Sequence, residues 1–127
     1  MVSCKSASAT MLEDDLDTEF KYYFSVLDSV AAGKKQAHQL KHEHIAFLYL
    51  IDSWTGTNVN VDHTGFLKFK SSDLQSWISW YEKKKGKIDK EEYQKAFGTY
   101  MSFLQNGITD AGLEYLMKIS EKYRALY

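Results

Sequence analysis

His38 and His42 lie four residues apart. At helical spacing their imidazoles would share a face, as zinc-binding pairs do. His44, His63 and Cys4 are the available third ligands. Glu43 sits between His42 and His44, so no HExxH arrangement is completed. A solvated polar turn accounts for these histidines better than a metal does. Acidic residues gather at Glu13, Asp14, Asp15, Asp17 and Glu19, with no basic residue inside the run. At a helix start such a run complements the positive end of the dipole. Its alternative use is a docking tail for a basic partner. Basic residues gather at Lys83, Lys84, Lys85, Lys87 and Lys90, partly offset by Glu82, Asp89, Glu91 and Glu92. Just upstream, Trp77 and Trp80 are three residues apart. One ring can then enter a core while the other sits at a rim beside lysines, as in a protein or nucleic-acid contact. No nucleophile elbow, phosphate-binding glycine loop, dinucleotide fingerprint or kinase signature occurs. These residues specify no catalytic, cofactor or metal site, and the expectation is a protein that is not an enzyme.

Composition narrows the field further. A chain of 127 residues supports one domain with a real core, but not comfortably two. Hydrophobic residues make up 44%, which argues for a folded chain. The formal net charge of −1 gives no global electrostatic case for nucleic acid. Proline is absent, so glycines and capping residues must punctuate the helices. The single cysteine, Cys4, excludes an internal disulfide and points to a reducing compartment. No apolar run approaches the roughly 18 residues of a membrane span. The opening MVSCKSASATMLEDD lacks the apolar core of a signal peptide. A cytoplasmic protein, with no membrane partner, is the expectation.

The elements that must position these residues follow from periodicity and caps. Residues 1–12 read as a disordered lead and 13–127 as a single helical domain. Phe20, Tyr23, Phe24 and Leu27 mark a first helix that Gly33 can stop, and Lys34 to His44 is a loop or a helix start. Phe47, Leu48 and Ile51 mark a second helix. Thr55 to Asn58 is turn chemistry, and Val59 and Val61 alternate as in a short strand. Phe66 and Phe69 suit a short helix or a strand, and Ser72 offers an N-cap with Gln75 at the third position. From Asp73 to Leu104 the pattern is helix–loop–helix. Leu74, Trp77, Ile78 and Tyr81 form one apolar face, and Tyr93, Ala96, Phe97, Tyr100, Met101 and Leu104 the other. Between them Gly86 can turn the chain, and Asp89 with Glu92 makes a capping-box pattern. The chain turns again at Asn106-Gly107. A final helix, capped at Thr109 or Asp110, then carries Leu113, Leu116, Met117, Ile119 and Tyr123.

A weak repeat runs through this plan. The apolar sets starting at Phe20, His44 and Leu74 are followed by Asp28, Asp52 and Glu82, and the starts lie 24 and 30 residues apart. The pattern is that of an entering helix followed by a first ligand, although a complete unit with a twelve-residue loop needs about 30 residues. KKKGKIDKEEYQKAFGTYMSFLQNGITDAGLEYLM resembles the C-terminal end of invertebrate sarcoplasmic calcium-binding proteins, an EF-hand family, and Phe47 to Phe69 is more loosely similar to the preceding unit. The resemblance implies an all-α fold of five to six helices. It would contain an EF-hand-like helix–loop–helix pair and a short two-stranded bridge around Val59 and Ile88. The loops depart from the family at the ligands. With Gly86 sixth, Tyr81, Lys83 and Lys85 occupy positions one, three and five, and only Glu92 survives. A loop from Asp52 offers Trp54, Gly56 and His63 at positions three, five and twelve; one from Asp28 offers Val30, Ala32 and Gln39.

The leading functional expectation is a regulatory or adaptor protein with degenerate, non-calcium-binding loops. Its partner would be a protein or an amphipathic helix held in a helix-pair groove. Trp77, Trp80, Tyr81, Phe97, Tyr100 and Met101 would line the contact, with Lys83, Lys84 and Lys85 beside it. One alternative is a winged-helix DNA-binding regulator, because ITDAGLEYL resembles the segment after a wing. Lys90 and Lys95 would then face phosphates. Glu91 and Glu92 on that helix, and the short span from Leu104 to Thr109, disfavour nucleic acid. The other alternative is a carrier for a small apolar ligand held between the helices.

Overall fold

The computed structural model describes residues 8–36, 39–57 and 69–125. Among them the architecture is all-helical. The order is α1 (Ser8–Ala31), α2 (His42–Thr55), α3 (Ser71–Lys84), a 3-10 turn (Lys85–Lys87), α4 (Lys90–Asn106) and α5 (Asp110–Arg124). No strand occurs among the described residues. Val59, Val61 and Phe66 lie outside them, as does any bridge from Val59. Its proposed partner Ile88 is a buried, extended residue between the 3-10 turn and α4. Among the described residues no helix is long and apolar enough to cross a membrane.

α2 is the organising element. Its sequence HIAFLYLIDSWT is apolar on nearly every side, and Ala46, Phe47, Leu48, Leu50, Ile51 and Trp54 are all fully buried. A helix of that kind must be covered from all directions, and α1, α3, α4 and α5 all pack against it. The other helices are amphipathic and contribute one stripe each. α3 buries Leu74, Trp77 and Tyr81; α4 buries Tyr93 and Ala96; α5 buries Leu116, Ile119 and Tyr123. From α1, Phe20 reaches the middle of the core. It stacks on Tyr81 at 4.4 Å and meets Phe47, Tyr93 and Phe24 at 5.2, 4.9 and 6.1 Å.

α1 begins at Ser8, inside the stretch read from sequence as a disordered lead, so the acidic run lies within the helix and not in its first turn. The two last acids have a specific use. Asp17 accepts a hydrogen bond from Tyr81 at 2.6 Å, and Glu19 accepts one from Tyr93 at 2.7 Å. Two tyrosines buried to about their whole surface thereby satisfy their hydroxyls at the core boundary. The bond from Tyr81, with Lys21 beside it, holds the Asp17 carboxyl below its usual range. Burial pushes both tyrosines well above theirs.

The helix starts are set by short-range acceptors. Asp89 caps α4 by accepting from the Glu92 N–H at 3.0 Å, and Thr109 caps α5 by accepting from Gly112 at 3.1 Å. α3 starts two residues earlier than an N-cap at Ser72 would dictate. Its N-cap is Lys70, whose N–H donates to the Asp73 carboxylate at 2.9 Å, so the acid at the third helical position fixes the boundary. Gly112 also permits the close approach of α5 to α4, because a Cβ there would stand 2.7 Å from Phe103 Cε1.

His44 plays the corresponding part for α2. Its Nδ1 accepts from the Lys41 N–H at 3.1 Å. That contact assigns the ring proton to Nε2, which faces the Tyr22 hydroxyl at 3.0 Å. Burial, chiefly, holds its pKa below the ordinary value of 6.5; Glu43 opposes this and Lys35 and Lys41 add to it. The unfolded chain therefore takes up this proton first, and protonation removes the Nδ1 acceptor. The stabilisation is complete above about pH 6.5 and is lost as pH falls through the lower, folded-state value. Urea unfolding measured from about pH 7 down to about 5 should show falling stability. His44→Gln, which keeps an acceptor at the third helical position, should flatten that slope. An unchanged slope would remove His44 as its source.

A candidate basic and aromatic binding cleft

The residues assigned from sequence to partner contact fall into three groups. Trp77 and Tyr81 belong to the core, at 0% and 1% exposure. The Trp77 indole donates to Thr57 Oγ1 at 3.0 Å and its ring lies against Phe69. Neither side chain presents a surface to a partner. Phe97, Tyr100 and Met101 are half-buried on α4. The Phe97 ring meets Tyr23 and Tyr93, and that of Tyr100 meets Tyr49 and Phe103. α3 packs mainly on α1 and α2, whereas α4 packs mainly on α2 and α5. Apart from α2, which both share, the two helices of the helix–loop–helix therefore pack largely on different neighbours.

The third group is brought together. Trp80, Lys83 and Lys84 line an open cleft of about 500 Å³. Lys85 does not join them. It turns towards α1, pairing with Glu82 at 3.0 Å and lying 3.9 Å from Asp17. Opposite α3 stands Arg124, the last residue of α5, and Thr55, the last of α2, contributes to the wall. Ser76, Ser79 and Gln75 complete the lining from α3. The C-terminal ends of three helices thus meet at one place. Gly56 makes the approach possible. It takes φ +79° as the C-cap of α2, and a Cβ on it would stand 3.2 Å from Arg124 Cδ.

Cations in the last turn of a helix complement its dipole, which explains why bases occur at these ends. Each helix end carries roughly half a negative charge. Lys83 and Arg124 alone bring two full positive charges, which offset three such ends, and among the described residues no carboxylate lines the cleft. The site is therefore electropositive, with one half-buried indole, Trp80, at its edge. Arg124 escaped the sequence reading. It is remote in sequence from Lys83, and its only local signal was a basic residue at a helix end.

The remaining polar clusters are internally satisfied. The Tyr123 hydroxyl accepts from the Asp89 N–H at 2.9 Å and donates to Glu92 at 2.7 Å. Both Glu92 oxygens also take Lys122 Nζ at 2.8 Å. A second hollow, of about 430 Å³, lies between α1 and α4 beside Leu16, Tyr22 and Lys90. Among its described lining residues the one carboxylate, Glu19, already holds the Tyr93 hydroxyl. Among the described residues no group of three or more His, Cys, Asp or Glu could hold a metal ion. His38, His63 and Cys4 lie outside them, and His42 is exposed. No protein-family model, curated protein or solved structure matches the chain.

Proposed function

We propose that this protein is a non-catalytic, EF-hand-like regulatory or adaptor protein that binds an acidic segment of a partner protein in the cleft between α3 and α5. The observation that carries the reading is the lining of that cleft: Lys83, Lys84 and Arg124 stand beside Trp80, with no carboxylate among the described lining residues. Charge complementarity of this kind steers encounter and selects the sign of the partner, and an indole at the edge supplies an anchor for an apolar side chain. The EF-hand-like part of the proposal is the α3–α4 unit, with Gly86 in its connection and buried Ile88 after it. A metal-free state is supported by Glu92, the one ligand retained in the loop around Gly86. Its carboxylate is held by Lys122 and Tyr123. A DNA-reading role for α4 is less well supported, since Lys95 sits over the Tyr115 ring at 4.5 Å.

Fluorescence tests the proposal directly. Trp54 and Trp77 are fully buried and Trp80 is not, so quenching by neutral acrylamide reports chiefly on Trp80. A glutamate-rich synthetic peptide should protect Trp80 from quenching, and added salt should weaken that protection. The double variant Lys83→Glu, Lys84→Glu should abolish it. No protection at low ionic strength would overturn the proposed site. Calcium should leave the spectrum unchanged, and a micromolar calcium transition would overturn the metal-free part.

A further inference from the structure

We infer that this cleft is a phosphate site, receiving the phosphoryl group of a phosphorylated segment of a partner protein. The inference rests on the partner-binding reading above and names the group that is recognised. A carboxylate brings one charge. A phosphoryl group brings nearly two, together with three strong acceptor oxygens. The cleft has the matching donors. Ser76, Ser79 and Lys83 stand at helical spacings of three and four, on one side of α3, and Arg124 faces them from α5. Among the described residues the Ser76 and Ser79 hydroxyls, the Lys83 ammonium and the Arg124 guanidinium make no hydrogen bond or ion pair. Lys21, Lys85 and Lys122, by contrast, each hold a carboxylate. Four donors are thus left open on one cleft.

Behind the Trp80 wall of the cleft lies one further polar group. Trp54 is fully buried, yet its indole N–H has no acceptor among the described residues. Buried donors almost always have a partner. The Trp54 ring lies between Trp80, at 6.5 Å, and Tyr123, stacked at 4.0 Å, and these are respectively a wall of the cleft and the neighbour of Arg124. Trp80, half-buried at the edge, suits an apolar residue flanking the phosphorylated one.

Isothermal titration of the full chain separates the possibilities. The probes are one leucine-flanked synthetic peptide carrying phosphoserine, glutamate or serine at its centre. The phosphoserine form should bind about tenfold or more tightly than the glutamate form, with the serine form weakest. Lys83→Ala and Arg124→Ala should each weaken the phosphopeptide about tenfold, and Arg124→Lys should not fully restore it, because the planar fork is lost. Both positions are solvent-accessible, and unchanged circular dichroism would verify folding. Equal binding of the phosphoserine and glutamate forms would overturn the phosphate assignment and leave the acidic-partner reading standing. Binding of neither would overturn both. Tighter binding to phosphoinositide vesicles or to a DNA duplex, with the same dependence on Lys83 and Arg124, would overturn the protein partner.

Discussion

Phe20→Ala is expected to cost about 3–5 kcal/mol, the range for removing a buried aromatic ring. The ring is fully buried and contacts four other aromatic rings contributed by four helices, α1 itself included. Its removal leaves a cavity bounded by planar groups that cannot collapse without leaving their own rotamers. Set against the roughly 5–15 kcal/mol that holds a domain of this size folded, that is about a fifth of the total or more. The urea midpoint should fall accordingly, and the thermal midpoint by about 10–20 °C. Phe20→Leu should retain more than half of the lost stability, because most of the apolar volume is kept. Met117→Ala, at a position 61% exposed, should stay within about 0.5 kcal/mol of the parent. A loss below about 1 kcal/mol for Phe20→Ala would show that the core does not depend on this ring.

The second large effect is at Tyr123, where a polar and an apolar contribution can be separated. Tyr123→Phe keeps the ring stacked on Trp54, at 4.0 Å and 8° between planes. It removes the hydroxyl that joins the Asp89 N–H to Glu92. The loss should be about 1–3 kcal/mol, at the lower end because Asp89 is exposed and water can replace the acceptor. Tyr123→Ala also deletes a fully buried ring and should bring the total to about 4–5 kcal/mol. Lys122→Ala removes an ion pair with Glu92 and an ammonium 5.6 Å from the Tyr123 ring centroid, both at the surface, and should cost less than about 1 kcal/mol. Chemical denaturation of the three variants orders these contributions. Equal losses for Tyr123→Phe and Tyr123→Ala would mean that the ring stack contributes nothing.

The capping acceptors show how the sequence becomes legible where interactions are local. Asp89 and Thr109 each accept from an N–H three residues on, so the signal and the partner lie in the same window. Glu92 shows where that legibility ends. The sequence offers it as the return half of a capping box, but Tyr123, 34 residues beyond Asp89, takes the Asp89 N–H in its place. Glu92 turns to Lys122 and Tyr123. The acids that follow the three apolar repeats are a comparable case. Asp28, Asp52 and Glu82 read as loop openings, yet each helix runs two or three residues further, to Ala31, Thr55 and Lys84. Asp52 is moreover buried, at 4% exposure.

By itself the sequence determined the helical class, most helix boundaries other than the start of α1, and the identity of most core side chains. Each of these depends on spacing and propensity within a turn or two of chain. It also singled out Trp80, Lys83 and Lys84 by composition. Only the tertiary structure decided that Trp77 and Tyr81 turn inward, that Lys85 turns towards α1, and that Arg124 stands across from Lys83. The reason is α2: a helix apolar on every side forces its four neighbours to surround it, and their packing angles fix which helix ends converge. No local pattern encodes that convergence.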